Sequence, residues 1–341
     1  MRRIWHAREM ATVAILALEV LFFTWYLWPD GGRAHPFFNL ENALLVLKYS
    51  SIYGIAAVGA AVVIISGGID LAPGAVIALA GVVASGLFVQ QGVPFGVSVA
   101  AGLLVGVVTG ALTSFLVVTV SLPPFIATLG VMGIARGAAF IITEGRYYDV
   151  SGKLPPGWHP LGVPPDLLAP VVMIAVAAVF HVLMTRLQWG RAIFSIGGNE
   201  TAALYSGLAI GRVKTSVYIL SGVLAAAAGI VLVIIQGQGK ADLATGYELD
   251  IIASAVVGGA SLAGGRGSVV GAVLGTLIFG VLRNALPQIQ GAAFYDRLIV
   301  GVVVLVIVVL DQIMSKVTKE TKAPKIEGIE GAKATKDAKG A

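Results

Sequence analysis

The chain has 341 residues, 57% of them hydrophobic and only 12% charged, with a mean hydropathy of +0.91. A soluble domain carries about twice that charged fraction, so the composition excludes a soluble enzyme or binding module and requires an integral membrane protein. Cysteine is absent and the four histidines have no ligand spacing, which removes disulfides and thiolate or histidine metal sites. The formal net charge of +5 calls for no nucleic-acid partner, because the basic residues gather in loops and tails where they orient a chain in a bilayer.

In chain order, Met1–Arg8 is short and basic, and the apolar run Met10–Trp28 follows. At about 19 residues the run exceeds a signal-peptide core, and no A-x-A-like cleavage site follows it. It predicts a first spanning helix with Trp25, Tyr26 and Trp28 at the far interface. Residues 29–42 are polar with Gly and Pro and predict a loop. Further apolar runs at 43–66, 74–90, 95–120, 124–143, 166–185, 213–236, 249–263, 269–286 and 297–314 bring the number of segments to ten. The range is eight to ten if the short run at 249–263 or the glycine breaks are re-entrant. The fold expected is an all-α, polytopic integral membrane bundle of about ten transmembrane helices with Gly-rich broken helices. Residues 1–9 are expected as a cytoplasmic N-terminus, 10–316 as the transmembrane domain, and 317–341 as a disordered, lysine-rich cytoplasmic tail.

Ten spans with the N-terminus inside place Arg2, Arg3, Arg8, Arg186, Arg191, Arg212, Lys214, Arg266 and the tail lysines in the cytoplasm. Outside stand Arg33, Lys48, Arg146, Lys153, Lys240 and Arg297, so the positive-inside bias puts both termini in the cytoplasm. The outer loop 144–165 carries Tyr147, Tyr148, Asp149, Trp158 and several prolines. It is too long and aromatic for a bare connector, and fits either a face for an extracytoplasmic partner or a packed lid.

One stretch, YELDIIASAVVGGASLAGGRGSVVG from Tyr247, begins with acids and dissolves into glycine. It has an upstream echo. Gly67-Gly68-Ile69-Asp70-Leu71-Ala72-Pro73-Gly74 aligns with Gly258-Gly259-Ala260-Ser261-Leu262-Ala263-Gly264-Gly265, with Asp70 opposite Ser261. Two glycine-interrupted apolar segments at corresponding places in two halves indicate a degenerate internal repeat and a solute pathway between the repeats. Broken backbone at membrane depth survives only where protein buries it or a wet cavity receives it. Gly67, Gly68, Asp70, Arg136, Glu248, Asp250, Gly258 and Gly259 are therefore expected on the translocation path or at the breaks. Asp70 is expected to accept N–H bonds from its Gly-rich turn, and Glu248 and Asp250 to lie at a helix N-terminus, where the dipole favours anions. For each acid, capping competes with solute contact. Arg136, in mid-run, must face the interior and either pair with one of these acids or bind carbonyls exposed at a break. Arg283 is expected to be interior or to snorkel outward.

The inner loop 186–214, RLQWGRAIFSIGGNETAALYSGLAIGRVK, contains a short capped helix: Asn199 as N-cap, Glu200 to Ser206 as the helix, Gly207 as its stop. Such a rigid knob can pass a rigid-body shift from a soluble motor where a floppy loop cannot. An interfacial helix resting on headgroups is the alternative.

Four segments in order carry a resemblance: VVIISGGIDLAPGAVIAL (62–79), LPPFIATLGVMGIARGAAFIIT (122–143), GRAIFSIGGNETAALYSGLAIGRVK (190–214) and YELDIIASAVVGGASLAGGRGSVVGAVLG (247–275), with LRNAL (282–286) and Asp311 after them. Over residues 40–311 the chain resembles the permease subunits of bacterial ATP-binding-cassette importers of the ribose, xylose and galactose type. Ala72 and Pro73 stand where that family usually has Ser and Val. The resemblance implies a bacterial inner-membrane transport subunit that is not itself an enzyme. It implies a second permease copy as a homodimer partner, a cytoplasmic ATPase holding ATP-Mg, and an extracytoplasmic sugar-binding protein. It makes the knob the coupling helix, with Gly198, Asn199, Glu200, Ala202, Ala203, Ser206 and Gly207 meeting the ATPase. The chain lacks G-x-x-x-x-G-K-[ST], G-x-S-x-G and H-E-x-x-H, so it binds no nucleotide cofactor by those means and shows no hydrolase motif. Importers of branched-chain amino acids or of a sugar-like signal, and an ion-driven secondary transporter relying on Asp70, are the alternatives.

Overall fold

The computed structural model describes residues 2–28, 37–153 and 163–291, with 295, 298, 299, 301–303, 305, 306 and 309 beyond them. The tail 317–341, most of the expected last span 297–314, and Trp158 lie outside the described residues.

The chain is an all-α membrane bundle. Its helices are α1 (Arg2–Tyr26), α2 (Leu40–Ile65), α3 (Pro73–Val89), α4 (Phe95–Ser114), α5 (Pro124–Thr143), α6 (Pro165–Arg186), α7 (Gln188–Gly198), α8 (Glu200–Tyr205), α9 (Ile210–Gln236), α10 (Tyr247–Val257) and α11 (Val269–Ala285). A π-helical turn, Phe115–Thr119, prolongs α4. Among the described residues, seven helices are long and apolar enough to cross a membrane. One expected span comes out short. α3 keeps the 17 residues of its run, whereas α10 has only 11, and at 1.5 Å per residue α10 reaches only about half-way across a hydrocarbon core. The apolar run at 249–263 therefore does not cross as a helix. Its glycines end α10 at Val257, and 258–268 continues without regular structure.

α2, α3 and α9 form the centre, with Ile55, Ala57, Val58, Ile77, Ala80, Ala228 and Leu232 among the fully buried side chains. The high glycine content serves close crossings, since small residues are what let apolar helices approach in lipid. A Cβ at Gly106 of α4 would lie 2.8 Å from Ala226 Cβ and inside contact distance of the Gly222 carbonyl, both on α9. α1 is peripheral, packing on α11 through Phe23, Val281 and Ala285. At one end, β1 (Tyr147–Asp149) pairs antiparallel with β2 (Gln238–Lys240), Tyr148 opposite Gly239. Tyr148 is buried there, donating from its hydroxyl to the Ile142 carbonyl at 2.7 Å. That end of the loop 144–165 is thus packed onto the bundle. Asp149 in this ribbon is exposed, and its carboxyl is held below the usual carboxylate range by the hydroxyl and amide N–H of Ser151.

Candidate transport and coupling sites

Both glycine breaks are helix stops of one kind. At the end of α2, Gly67 takes φ +87°, its N–H donates to Ile64 and the Gly68 N–H to Val63. At the end of α10, Gly259 takes φ +96°, its N–H donates to Val256 and the Ala260 N–H to Ala255. This is the paired 6→1 and 5→2 bonding of a left-handed C-terminal cap, which requires a residue free to hold positive φ. The structural equivalence is Gly67 with Gly259, one residue off the sequence alignment that pairs Gly67 with Gly258.

Beyond the first break, residues 66–72 carry the chain to α3, which Pro73 opens at a first-turn position where its missing N–H costs nothing. Asp70 is 7% exposed. Its Oδ1 accepts the Ala72 N–H at 3.0 Å, as expected of a turn cap, and its Oδ2 accepts the Ser221 hydroxyl of α9 at 2.9 Å. Asp70 lines a small recess of mixed polar and apolar character with Thr109, Thr113, Tyr218 and Val76. Glu248 and Asp250 both stand in the first turn of α10. Asp250 is buried and forms an ion pair with Arg283 at 2.6 Å, which settles Arg283 as turned inward to this acid. The Arg283 guanidinium lies 6.0 Å from the ring of Tyr53, which stacks on Tyr247 at 4.3 Å. Arg136 takes the second of its expected options. Nη1 donates to the carbonyls of Ala241 and Leu243, at 2.6 and 2.7 Å, in the segment between β2 and α10. Glu248 lies against Gly74 near the start of α3, where any Cβ would collide with its carboxylate. The first turns of α3 and α10, the two shorter apolar helices, are therefore neighbours.

The opposite end of α9 from the β-ribbon carries α7 and α8. Asn199 caps α8 by accepting the Ala202 N–H at 2.9 Å, Gly207 ends it at φ +80°, and Glu200 is tied to Lys214 of α9 at 2.7 Å. Gly198, Asn199, Glu200, Ala202, Ser206 and Gly207 are exposed, as are Leu204 (59%) and Tyr205 (86%). Ala203, expected on the contact face with them, is instead buried at 4% exposure and roots the helix. α7 is an element the sequence reading left in a loop. Gly190, Ala192, Ile193 and Ile196 bury one face, Trp189 Nε1 donates to Ser216 of α9 at 2.8 Å, and Phe180 meets the Trp189 ring edge-on.

The family described as the branched-chain amino acid transport system / permease component matches residues 42–308. The chain belongs to this family. The permease is 37% identical over 317 residues to the ribose import permease protein of Escherichia coli strain K12, covering 90% of this chain and 94% of that relative. It is 34% identical over 316 residues to the D-allose transport system permease protein of the same organism, covering 90% and 93%. A fructose import permease protein of Rhizobium meliloti is 31% identical over 310 residues, covering 89% and 84%. No solved structure matches significantly. This permease is a multi-pass membrane transport subunit rather than an enzyme.

Sequence reasoning about the permease missed three polar features. Ser221, the cross-helix partner of Asp70, looks like any small residue in ILSGVLAAAAG. Glu19 lies in the middle of α1 with a buried Oε2, and an acid within an apolar run is a signal the sequence did display. Ser268 caps α11, accepting the Gly271 N–H at 3.2 Å, and donates to Glu9 of α1 at 2.5 Å.

Proposed function

We propose that the permease forms the membrane path of an ATP-driven importer of neutral monosaccharides. α7 and α8 face the cytoplasm and meet the ATPase there, which holds the ATP-Mg, while a sugar-binding protein delivers substrate to the ribbon end. The observation that carries the reading is α8 itself: six residues, capped at both ends, pinned to α9 through Glu200, and presenting Leu204 and Tyr205 to the outside. A stiff, exposed apolar knob on the longest helix of the core suits a surface that is pushed. The names of the relatives supply the substrate class, and the paired acids and bases inside the bundle agree with it. Asp250 is neutralised by Arg283 and Asp70 is bonded to N–H and O–H donors, so the interior favours an uncharged polyol, which needs donors and acceptors rather than counter-charges. Gly67, Gly68, Asp70, Arg136, Glu248, Asp250, Gly258 and Gly259 lie at the breaks or beside the first turns of α3 and α10, where a path between the repeats would pass. Two copies of the permease pair, and both termini lie in the cytoplasm, in keeping with the excess of Lys and Arg on the α8 side.

The test is uptake into vesicles carrying the permease with its ATPase and binding protein. Ribose, allose and fructose are offered beside leucine, with ATP inside and ionophores present. ATP-dependent uptake of one sugar, indifferent to ionophores, is expected. Uphill uptake by the permease alone on an ion gradient, or leucine as the sole substrate, overturns the reading.

A further inference from the structure

The two glycine breaks and the C-terminus of α7 meet in one place through bare backbone. The Gly265 N–H, just past the second break, donates to the Ile65 carbonyl at the first, at 2.8 Å. Gly197, near the end of α7, lies directly over that bond. A Cβ on it would overlap the Ile65 oxygen and come within 2.6 Å of the Gly265 nitrogen. A Cβ on Gly264 would lie 2.6 Å from the Gly197 oxygen and 3.1 Å from the Gly67 Cα, and one on Gly265 would lie 2.6 Å from the Gly198 Cα. Three segments distant in sequence thus close on one another with no side chain between them. α8 begins two residues after Gly198.

From this we infer that the junction of Ile65–Gly67, Gly197–Gly198 and Gly264–Gly265 is the linkage that carries a displacement of α8 into both helix breaks at once. The inference rests on the import reading for the source of the displacement, and on geometry alone for the linkage. Side-chain packing would give by rotamer adjustment. Backbone in contact with backbone has no such slack, so a shift of α7 must drag the ends of α2 and α10 with it. The hydrogen bond from Gly265 to Ile65 makes the two breaks one body, and Gly197 is the positioning residue that joins that body to the knob. This role accounts for glycine at position 197, where a side chain has no room.

The discriminating pair of variants is Gly197→Ala and Gly96→Ala. The second is the control, because a Cβ on Gly96, in the first turn of α4 and away from α7 and α8, meets nothing within 4 Å. With the permease assembled with its ATPase and binding protein, Gly197→Ala is expected to speed amide exchange at both 63–70 and 258–268. The ATPase stays bound, basal ATP turnover stays within about twofold, and uptake per ATP falls about tenfold, within the usual range of a lost coupling. Gly96→Ala behaves as the parent in all four respects. Faster exchange at only one break, or undiminished uptake per ATP, overturns the linkage. If Gly197→Ala does not fold, the parent chain answers instead. It has no cysteine, so Thr201→Cys with Ala263→Cys, both at exposed positions, takes a pair of spin labels. Their separation is expected to change by less than about 2 Å on adding ATP, because the knob and the second break move as one rigid body; a larger change overturns the linkage. Should the parent bind no ATPase at all, the import reading fails, and the exchange data still decide whether the junction ties the two breaks.

Discussion

Asp70 and Arg136 show how a charged side chain inside a membrane protein can be satisfied by local hydrogen bonds. Asp70 is satisfied by two donors, one at its own turn and one on α9, and it neither faces a cation nor lies open to lipid. Asp70→Asn can keep both bonds, its oxygen accepting from Ala72 and its amide donating to the Ser221 oxygen, so stability and uptake should stay near those of the parent. Asp70→Leu strands the Ala72 N–H and the Ser221 hydroxyl, at a cost of about 2 kcal/mol. Thermal unfolding in detergent should then fall by several degrees for Leu and hardly move for Asn. A full loss of uptake in the Asn variant with normal stability would show instead that the charge itself contacts solute or ion. Arg136 clamps the carbonyls of Ala241 and Leu243, both in buried residues. Arg136→Met leaves them without their donor and should cost about 3 kcal/mol, two charge-assisted bonds being lost and two acceptors abandoned. Arg136→Lys should recover part of that, since one ammonium can donate to both oxygens as Nη1 does, though without the fixed planar direction of its two N–H bonds. Equal melting of Met and Lys variants would deny the clamp.

At the level of elements, α8 was legible in the sequence because its signals are local. Asn199 at the cap, Glu200 in the first turn and Gly207 at the stop fix a six-residue helix without help from the rest of the chain. α7 was not legible, since its eleven residues include three glycines. What makes it a helix is the burial of Ile193 and Ile196 and the docking of Trp189 onto α9, which are tertiary facts. The breaks fall between these cases. The GG pairs announced them, but a pattern match could not see that the stop falls on the first glycine of one pair and the second of the other, because hydrogen bonding to the preceding turn decides it. Exposure also changes which residues probe the knob. Ala203→Arg would force a charge under α8 and test folding rather than contact. Leu204→Glu and Tyr205→Glu lie on the outer face, where substitutions move stability by at most about 0.5 kcal/mol. They should leave the permease inserted and melting normally while substrate-stimulated ATP turnover of the complex falls about tenfold, as for loss of exposed anchors at an interface. Unchanged stimulation in both would remove α8 from the contact.

For the whole molecule, the layout makes a claim about sides. α9 runs from beside α8 to the β-ribbon without interruption, and its 27 residues span about 40 Å, enough to cross the entire bilayer. Residues near its two ends must therefore lie on opposite faces of the membrane, whichever face each is. The proposed import reading makes the α8 end cytoplasmic, in keeping with Arg186, Arg191, Arg212, Lys214 and Arg266 there against Arg146, Lys153 and Lys240 at the ribbon end. Since the chain has no cysteine, single substitutions can report this directly. Thr201→Cys on α8 and Tyr147→Cys on β1 occupy exposed positions. In intact cells with the outer membrane permeabilised, a membrane-impermeant maleimide should label Tyr147→Cys and spare Thr201→Cys. In inside-out vesicles the pattern should reverse. Labelling of both from one side would contradict α9 as a single crossing, and with it the arrangement in which force enters at α8 and substrate at the ribbon. A clean reversal of the two faces would leave the fold intact but make the knob extracytoplasmic, out of reach of any ATP-hydrolysing partner. That outcome would refute the proposed energy source without touching the packing of the bundle.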